Sequence, residues 1–378
     1  MSENSTKTLL PEGLRDVLPP DAAFEDNVVQ GLVRSFTLNG YELVKPPLIE
    51  FEDTLISGVG AVMGERIFRM LDPSSHRTLG VRNDMTTQVA RIAATRLAKA
   101  PRPLRLTYAG PVLRVKGSQL EPERQFTQAG IELIGPEAGP ADAEAIIVTV
   151  EALLRLGVKD VSVDLALPTL APALFRDLKL PQDLLGMVRA ALDHKDVADI
   201  AARAQLAAPV LTKLIEASGP LDRAIAKVDA LKLPDQARAE WAGLVGAAMA
   251  VRAALPNLTI TVDAVENRGF EYHTGLTFSV FAAGSQREIG RGGRYQLPSG
   301  EAATGATLFI DALLPVAPSQ GALKRVYAPA ATPRGEITKL QDQGWVVVLA
   351  LSDAKDAAAE ARRLNCTHIL KAGAPAAI

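Results

Sequence analysis

The sequence predicts a mixed α+β chain, with a region of strands and helices, a helical insertion inside it, and a small α/β unit at the C-terminal end. Three observations carry this. Two short apolar segments, Arg105–Arg114 and Phe126–Gly135, flank the polar run Arg114–Arg124, the pattern of a hairpin with a long charged loop. From Pro168 to Pro256 the chain is rich in Ala, Leu, Asp and Lys at helical spacing, punctuated by prolines and nearly free of β-branched runs. After the linker-like stretch Pro315–Gly321, signals alternate β, α, β, α, β over about 50 residues.

In chain order, Phe24, Val28, Val29, Leu32 and Phe36 recur at helical spacing and predict a helix over Phe24–Asn39, broken by Gly40. Tyr41–Glu50 reads as a strand interrupted by Pro46 and Pro47, which cannot donate to a ladder and belong at an edge. Past the hairpin, Asp142–Leu156 reads as a helix and Val161–Leu167 as a strand; beyond the insertion, Leu258–Ala264 and Leu276–Ala282 are strand signals. The glycine-rich Gly290–Arg294 follows, and Ala306–Leu314 reads as a helix. In the last unit, Lys324–Ala328, Trp345–Leu351 and Thr367–Lys371 are strands, with helices over Arg334–Gln343 and Asp353–Leu364.

The chain has 41 Lys and Arg against 43 Asp and Glu, a formal charge of −2, so no electrostatic footprint for a polyanion is present and no nucleic-acid partner is expected. No uncharged run reaches the roughly 18 residues of a membrane span, and Met1–Leu10 lacks the basic and apolar regions of a leader. A single thiol, Cys366, cannot form an internal disulfide, which fits a reducing, cytoplasmic setting without membrane attachment. Gly-Lys never occurs, which excludes a phosphate loop, and Gly58, Gly60 and Gly64 miss the dinucleotide spacing. His76, His194, His273 and His368 are isolated, so neither a metal nor any other cofactor is expected. No GxSxG occurs, and no nucleophile has a partner; a catalytic residue is not expected.

What stands out is a set of polar stretches on apolar strands: Val81–Thr86, Gly110–Arg114, Arg124–Glu132, Asn267–Tyr272 and Arg291–Tyr295. Singly, each would serve as the solvated face of a strand; a glutamine and a glutamate four apart ordinarily do. In this order they resemble the catalytic core of histidyl-tRNA synthetase, a class II aminoacyl-tRNA synthetase, over roughly residues 9–320. Lys45–Glu50, with Pro47, is similar to motif 1, which builds the dimer interface in that family; Tyr108–Gly135 resembles motif 2; Arg268–Tyr272 and Gly292–Tyr295 look like the two histidine-specific signatures. The resemblance implies an antiparallel class II sheet flanked by helices, interrupted by the insertion at 168–256, and a homodimeric core.

It also divides the site in two. On the amino-acid side, Asp84, Thr86 and Gln128 match the residues that take the α-amino group, Glu132 the acceptor for the imidazole N–H, Arg268 the carboxylate ligand and Tyr295 a ring contact, with Tyr272 also among the histidine-binding residues, while His273 stands where the family has a second tyrosine. On the nucleotide side only the motif 2 arginine, Arg114, is kept. Lys116 replaces an acidic residue, Pro122 falls where a loop arginine belongs, and Asp311 lies in the helix that should bring another arginine. Loss of one such transition-state donor costs about 10²–10³ in rate, so adenylation is not expected.

Such a chain is similar to the regulatory subunits of ATP phosphoribosyltransferase, paralogues of histidyl-tRNA synthetase without its activity. That likeness implies a catalytic ATP phosphoribosyltransferase subunit of the short form as partner, in the first step of histidine biosynthesis, and histidine as effector. The last unit, from residue 322, then resembles part of an anticodon-binding domain, with eight Lys and Arg against five Asp and Glu from Lys324 onward. The main alternative is a divergent, active histidyl-tRNA synthetase, and a second is a paralogue that activates an amino acid for another acceptor.

Overall fold

In the structure, a computed structural model, residues 9–56, 67–117, 122–135, 139–178, 180–266, 272–319, 324–352 and 354–378 are described. Helix α1 (Asp21–Leu38) buries Val28, Leu32 and Phe36 at i, i+4 and i+8, and Gly40, at φ 83°, turns the chain out of it. The prolines split the strand expected next. With no N–H at Pro46 or Pro47, the segment becomes β1 (Glu42–Leu43) and β2 (Ile49–Phe51), which lie in different sheets. The turn α2 (Glu52–Leu55) follows, and β3 (Phe68–Leu71) and β4 (Thr78–Val81) complete a small antiparallel sheet of order β2-β4-β3. Helix α3 (Thr86–Thr95) leads to the hairpin of β5 (Leu104–Leu113) and β6 (Gln125–Ile134), in which Leu106 faces Glu132 and Tyr108 faces Gly130. Helix α4 (Pro140–Arg155) and strand β7 (Val161–Ala166) come next.

The insertion is helical, as its composition predicts: α5 (Leu170–Asp177), α6 (Gln182–Asp193), α7 (Val197–Arg203), a 3₁₀ turn at Gln205–Ala207, α8 (Ala208–Ala217), the two-residue strand β8 (Gly219–Pro220), α9 (Leu221–Asp229) and α10 (Asp235–Ala254). It has no core of its own. Leu211, Leu214, Trp241 and Leu244 belong to one buried cluster with Leu32 of α1, Ile146 of α4 and Val163 of β7.

Strands β9 (Thr259–Asp263), β10 (Thr277–Ala282), β11 (Gly290–Gln296) and β12 (Ala302–Phe309) complete a nine-stranded sheet of order β1-β5-β6-β12-β11-β10-β7-β9-β8. Only β1·β5 and β7·β9 are parallel in it. The helix expected over Ala306–Leu314 is instead the end of β12 followed by one helical turn, α11 (Ile310–Leu313). Its Ala and Leu content suits a helix, but the segment lies between β6 and β11 with Ala303, Ala306 and Leu308 buried, and tertiary pairing overrides so weak a local preference. The glycine run of β11 has a packing reason. A Cβ on Gly292 would lie 2.2 Å from the Gly305 carbonyl oxygen and 2.5 Å from the ring of Phe278.

These elements form one compact unit, Met1–Pro318; a second, Ser319–Ile378, has its own sheet. There β13 (Arg325–Ala328), α12 (Arg334–Asp342), β14 (Val346–Leu349), α13 (Ala357–Arg363) and β15 (His368–Lys371) follow the expected alternation, and β16 (Ala374–Ala377), which the sequence reading missed, adds an antiparallel strand after a turn at Ala372 and Gly373. The order is β14-β13-β15-β16. Among the described residues no helix is long and apolar enough to cross a membrane.

Because a backbone carbonyl cannot step aside as a side chain can, Gly292→Ala should separate β11 from β12 and lower stability by about 1–3 kcal/mol. Chemical denaturation of the two proteins measures it, and equal midpoints would show that the strands are not so closely packed.

Candidate functional site

The centre of the nine-stranded sheet carries a buried polar cluster. Gln128, Gly130 and Glu132 alternate on one face of β6, as the period of two requires. Opposite Gly130 stands Tyr108, and opposite Glu132 on the other side stands Gly305 of β12. Both glycines make room. A Cβ on Gly305 would lie 1.9 Å from a Glu132 carboxylate oxygen, and one on Gly130 would lie 2.5 Å from the Tyr108 hydroxyl.

Glu132 has no solvent exposure. Tyr295, on β11, donates its hydroxyl to Glu132 Oε2 at 2.8 Å, and Tyr108 donates to Oε1 at 3.3 Å. The Tyr108 hydroxyl also shares protons with Thr307 Oγ1 at 2.8 Å and Thr86 Oγ1 at 3.3 Å. Burial raises the Glu132 carboxyl to about 8, partly opposed by its hydrogen bonds to the Tyr295, Thr86 and Tyr108 hydroxyls. Tyr108 and Tyr295 are pushed well above their ordinary value, first by burial and then by Glu132.

The loop before α3 closes the cluster from the side. Asp84 accepts the Thr86 N–H at 2.7 Å, at the N-terminus of α3, where a carboxylate is favoured. Gln128 donates its amide to Asp84 Oδ2 at 3.1 Å and accepts the Met85 N–H at 3.2 Å, which fastens the loop to β6. Tyr272 meets Tyr295 edge to face with centroids 6.2 Å apart and stacks on His273 at 4.0 Å. Thus Asp84, Thr86, Gln128, Glu132, Tyr272 and Tyr295 are brought together, whereas Arg268 lies outside the described residues.

Where the resemblance would put a nucleotide, the arrangement differs. Arg114 lies with its guanidinium 4.3 Å over the Phe126 ring, and Phe126 meets Phe309 edge to face. Asp311, in the one-turn α11, forms an ion pair with Arg287 at 2.6 Å. The cleft beside Phe126 is lined by three carboxylates, Glu25, Glu123 and Asp311, and one guanidinium, Arg15. Lys116 and Pro122 are exposed.

Comparison with known proteins places this geometry. The model of the histidyl-tRNA synthetase family matches residues 13–313. An ATP phosphoribosyltransferase regulatory subunit from Paramagnetospirillum magneticum is 54% identical over 98% of this chain and 98% of its own length. The chain belongs to the ATP phosphoribosyltransferase regulatory subunit family. In fold, it matches a Bacillus halodurans structure titled as an ATP phosphoribosyltransferase regulatory subunit/histidyl-tRNA synthetase (TM-score 0.83, 24% identity, 96% of this chain and 97% of that one). It also matches a chain of a Thermotoga maritima ATP phosphoribosyl transferase (HisG:HisZ) complex (TM-score 0.61, 20% identity, 76% and 97%).

In this regulatory-subunit family member the sequence reading missed Tyr108 and Thr307, half of the hydroxyl set around Glu132. The hairpin register was the signal for Tyr108, since a tyrosine across from Gly130 must stand between Gln128 and Glu132. The long loop left that register open.

A folded Glu132 that keeps its proton up to about pH 8, against an ordinary 4.5, means that the folded state binds more protons between those values. Stability therefore falls as pH rises through that window and is fully recovered below it. Glu132→Gln, neutral and of the same shape, should flatten the slope and leave the variant more stable than the parent at pH 8, by an amount on the order of 1–4 kcal/mol. Thermal melting from about pH 5 to 8 tests this; parallel curves would mean that Glu132 is not protonated in the folded protein.

Proposed function

We propose that this chain is the non-catalytic regulatory subunit of a short-form ATP phosphoribosyltransferase in the first step of histidine biosynthesis, working in the cytoplasm and carrying histidine in the pocket around Glu132. One contrast supports the reading. The amino-acid side is a closed, hydrogen-bonded cluster of Asp84, Thr86, Gln128, Glu132 and Tyr295, while the nucleotide side has a carboxylate, Asp311, held by Arg287 and a cleft with three acidic residues. A triphosphate needs cations where charge develops. An amino acid needs what the pocket offers: a carboxylate and amide oxygens for its ammonium group, and a buried acceptor with tyrosines for its ring.

The Thermotoga maritima match comes from a complex of two proteins, and the relatives are named as regulatory subunits; both favour a catalytic subunit as partner. A second copy of this chain is the other. Pro47 is exposed with its chain neighbours Leu48 and Ile49, 39% and 40% accessible, and Leu43 of β1 and Met70 and Leu71 of β3 are exposed as well, apolar side chains suited to an isologous contact. Regulation follows if histidine binds the inhibited form of the complex more tightly than the active form, since a ligand shifts an equilibrium only by that difference.

Two measurements follow. Added to a purified short-form ATP phosphoribosyltransferase, the chain should raise the rate of product formation, and histidine should lower it again; a rate indifferent to both the chain and histidine removes the proposed role. Alone, it should show no histidine-dependent exchange of pyrophosphate into ATP, and clear exchange would instead mark a working synthetase.

A further inference from the structure

Arg82 lies two residues before Asp84 and is 96% buried, at 4% exposure. Its hydrogen-bond acceptors are neutral oxygens: the Pro111 carbonyl at 2.8 Å, the Pro46 carbonyl at 3.0 Å and Gln88 Oε1 at 3.5 Å. Gln88, in α3, then donates its amide to the Pro47 carbonyl at 2.7 Å. The backbone repeats the link, with Arg82 N–H donating to Leu48 and Leu113 N–H donating to Arg82. A Cβ on Gly110 would come within 2.5 Å of Arg82 Nη2, so the strand also leaves space for this side chain. Helix α3 is tied to the same segment a second time by Arg91, which donates through Nε to Glu50 Oε2 at 3.0 Å.

A guanidinium removed from water is costly unless its donors are all used, and burial pulls Arg82 below its ordinary value. Tying one loop to another does not require a charge. What this charge does is bind the carbonyls of both Pro46 and Pro111 at once, from the loop that carries Asp84 and Thr86. Asp84, hydrogen-bonded to Gln128, is joined to Arg82 by the loop itself, two residues along the backbone; from Arg82 and Gln88 the hydrogen bonds run to the carbonyls of Pro46 and Pro47, which precede the exposed Leu48 and Ile49.

We propose that Arg82 and Gln88 are positioning residues that couple histidine binding in the Glu132 pocket to self-association of this chain through the exposed Pro47–Ile49 surface. The inference rests on the functional reading above, both for histidine and for the second copy. If filling the pocket fixes the Asp84–Thr86 loop, the carbonyls of Pro46 and Pro47 are fixed with it, and the surface is presented in one arrangement. The coupling is reciprocal, so self-association must tighten histidine binding by the same factor.

The test uses the full chain, with its dimer dissociation constant measured by sedimentation at several concentrations, with and without L-histidine, and histidine binding followed by calorimetry. For the parent protein histidine should tighten the dimer about fivefold or more, a typical size for coupling between sites. In Arg82→Met and in Gln88→Leu, each checked for folding by circular dichroism, histidine should still bind while that ratio falls toward one. Arg82→Lys, which keeps the charge but loses the planar fork, should fall between. A merely structural role would move melting temperature and leave the ratio alone. A folded variant with the parent ratio overturns the proposal, as does a parent that binds histidine with no change in dimer strength. Should Arg82→Met fail to fold, Gln88→Leu decides. A parent that binds no histidine at all removes the functional reading, and the coupling with it.

Discussion

Glu132 puts a carboxyl group at the middle of a nine-stranded sheet with no exposure to solvent, and the surroundings are arranged to tolerate it. An ionised carboxylate there would be too costly without a cation, and the contacts it has are hydroxyls, from Tyr295 and Tyr108. Burial raises the carboxyl to about 8, and these hydroxyls only partly oppose it. The glycines at 130 and 305 follow from the same constraint, since any Cβ would occupy the space of the tyrosine hydroxyl or of the carboxyl itself. So does the loop before α3, whose Asp84 and Thr86 reach the cluster through Gln128 and the Tyr108 hydroxyl.

Two buried charges are thereby handled in opposite ways. Glu132 can become neutral and does. Arg82 cannot, because a guanidinium does not give up its proton in a protein, and it is held by carbonyl and amide oxygens from two loops and a helix. The first solution leaves a closed cluster in which both carboxyl oxygens meet tyrosine hydroxyls. The second ties the loop before α3 to the carbonyls of Pro46 and Pro111.

On the other side of the cluster, charged groups are paired within the chain. Asp311 has found a cation within the chain, Arg287, and Arg114 rests on Phe126, so the groups answer one another. The ion pair joins the segment that precedes β11 to α11, and the ring contacts join the hairpin strand β6 to the end of β12.

Much of the fold was legible in the sequence because its signals are local. The 3.6-residue spacing in Phe24–Asn39, the hairpin segments, the proline-punctuated helical insertion and the β, α, β, α, β order of the tail all survive in the structure, because each buries one face in the way its period requires. The family was legible as well, from the five polar stretches in order. What failed was Ala306–Leu314, where the residues favour a helix and the neighbours on both sides demand a strand. The partners of Glu132 were only half visible for a similar reason. Gln128 and Glu132 follow from strand period, but Tyr108, Thr307 and Gly305 meet them through hairpin and sheet register, which the loops leave undetermined. Arg82 was invisible as anything but one letter in a loop. Its importance comes from being buried between carbonyls contributed by Pro46 and Pro111, 36 and 29 residues away in the chain, and no local pattern encodes a distance of that kind. Local periodicity and residue chemistry thus determined which elements form and which family they belong to, while burial and register, set only when distant strands pair, decided which carboxyl is neutral, which charge is kept, and what the pocket is attached to.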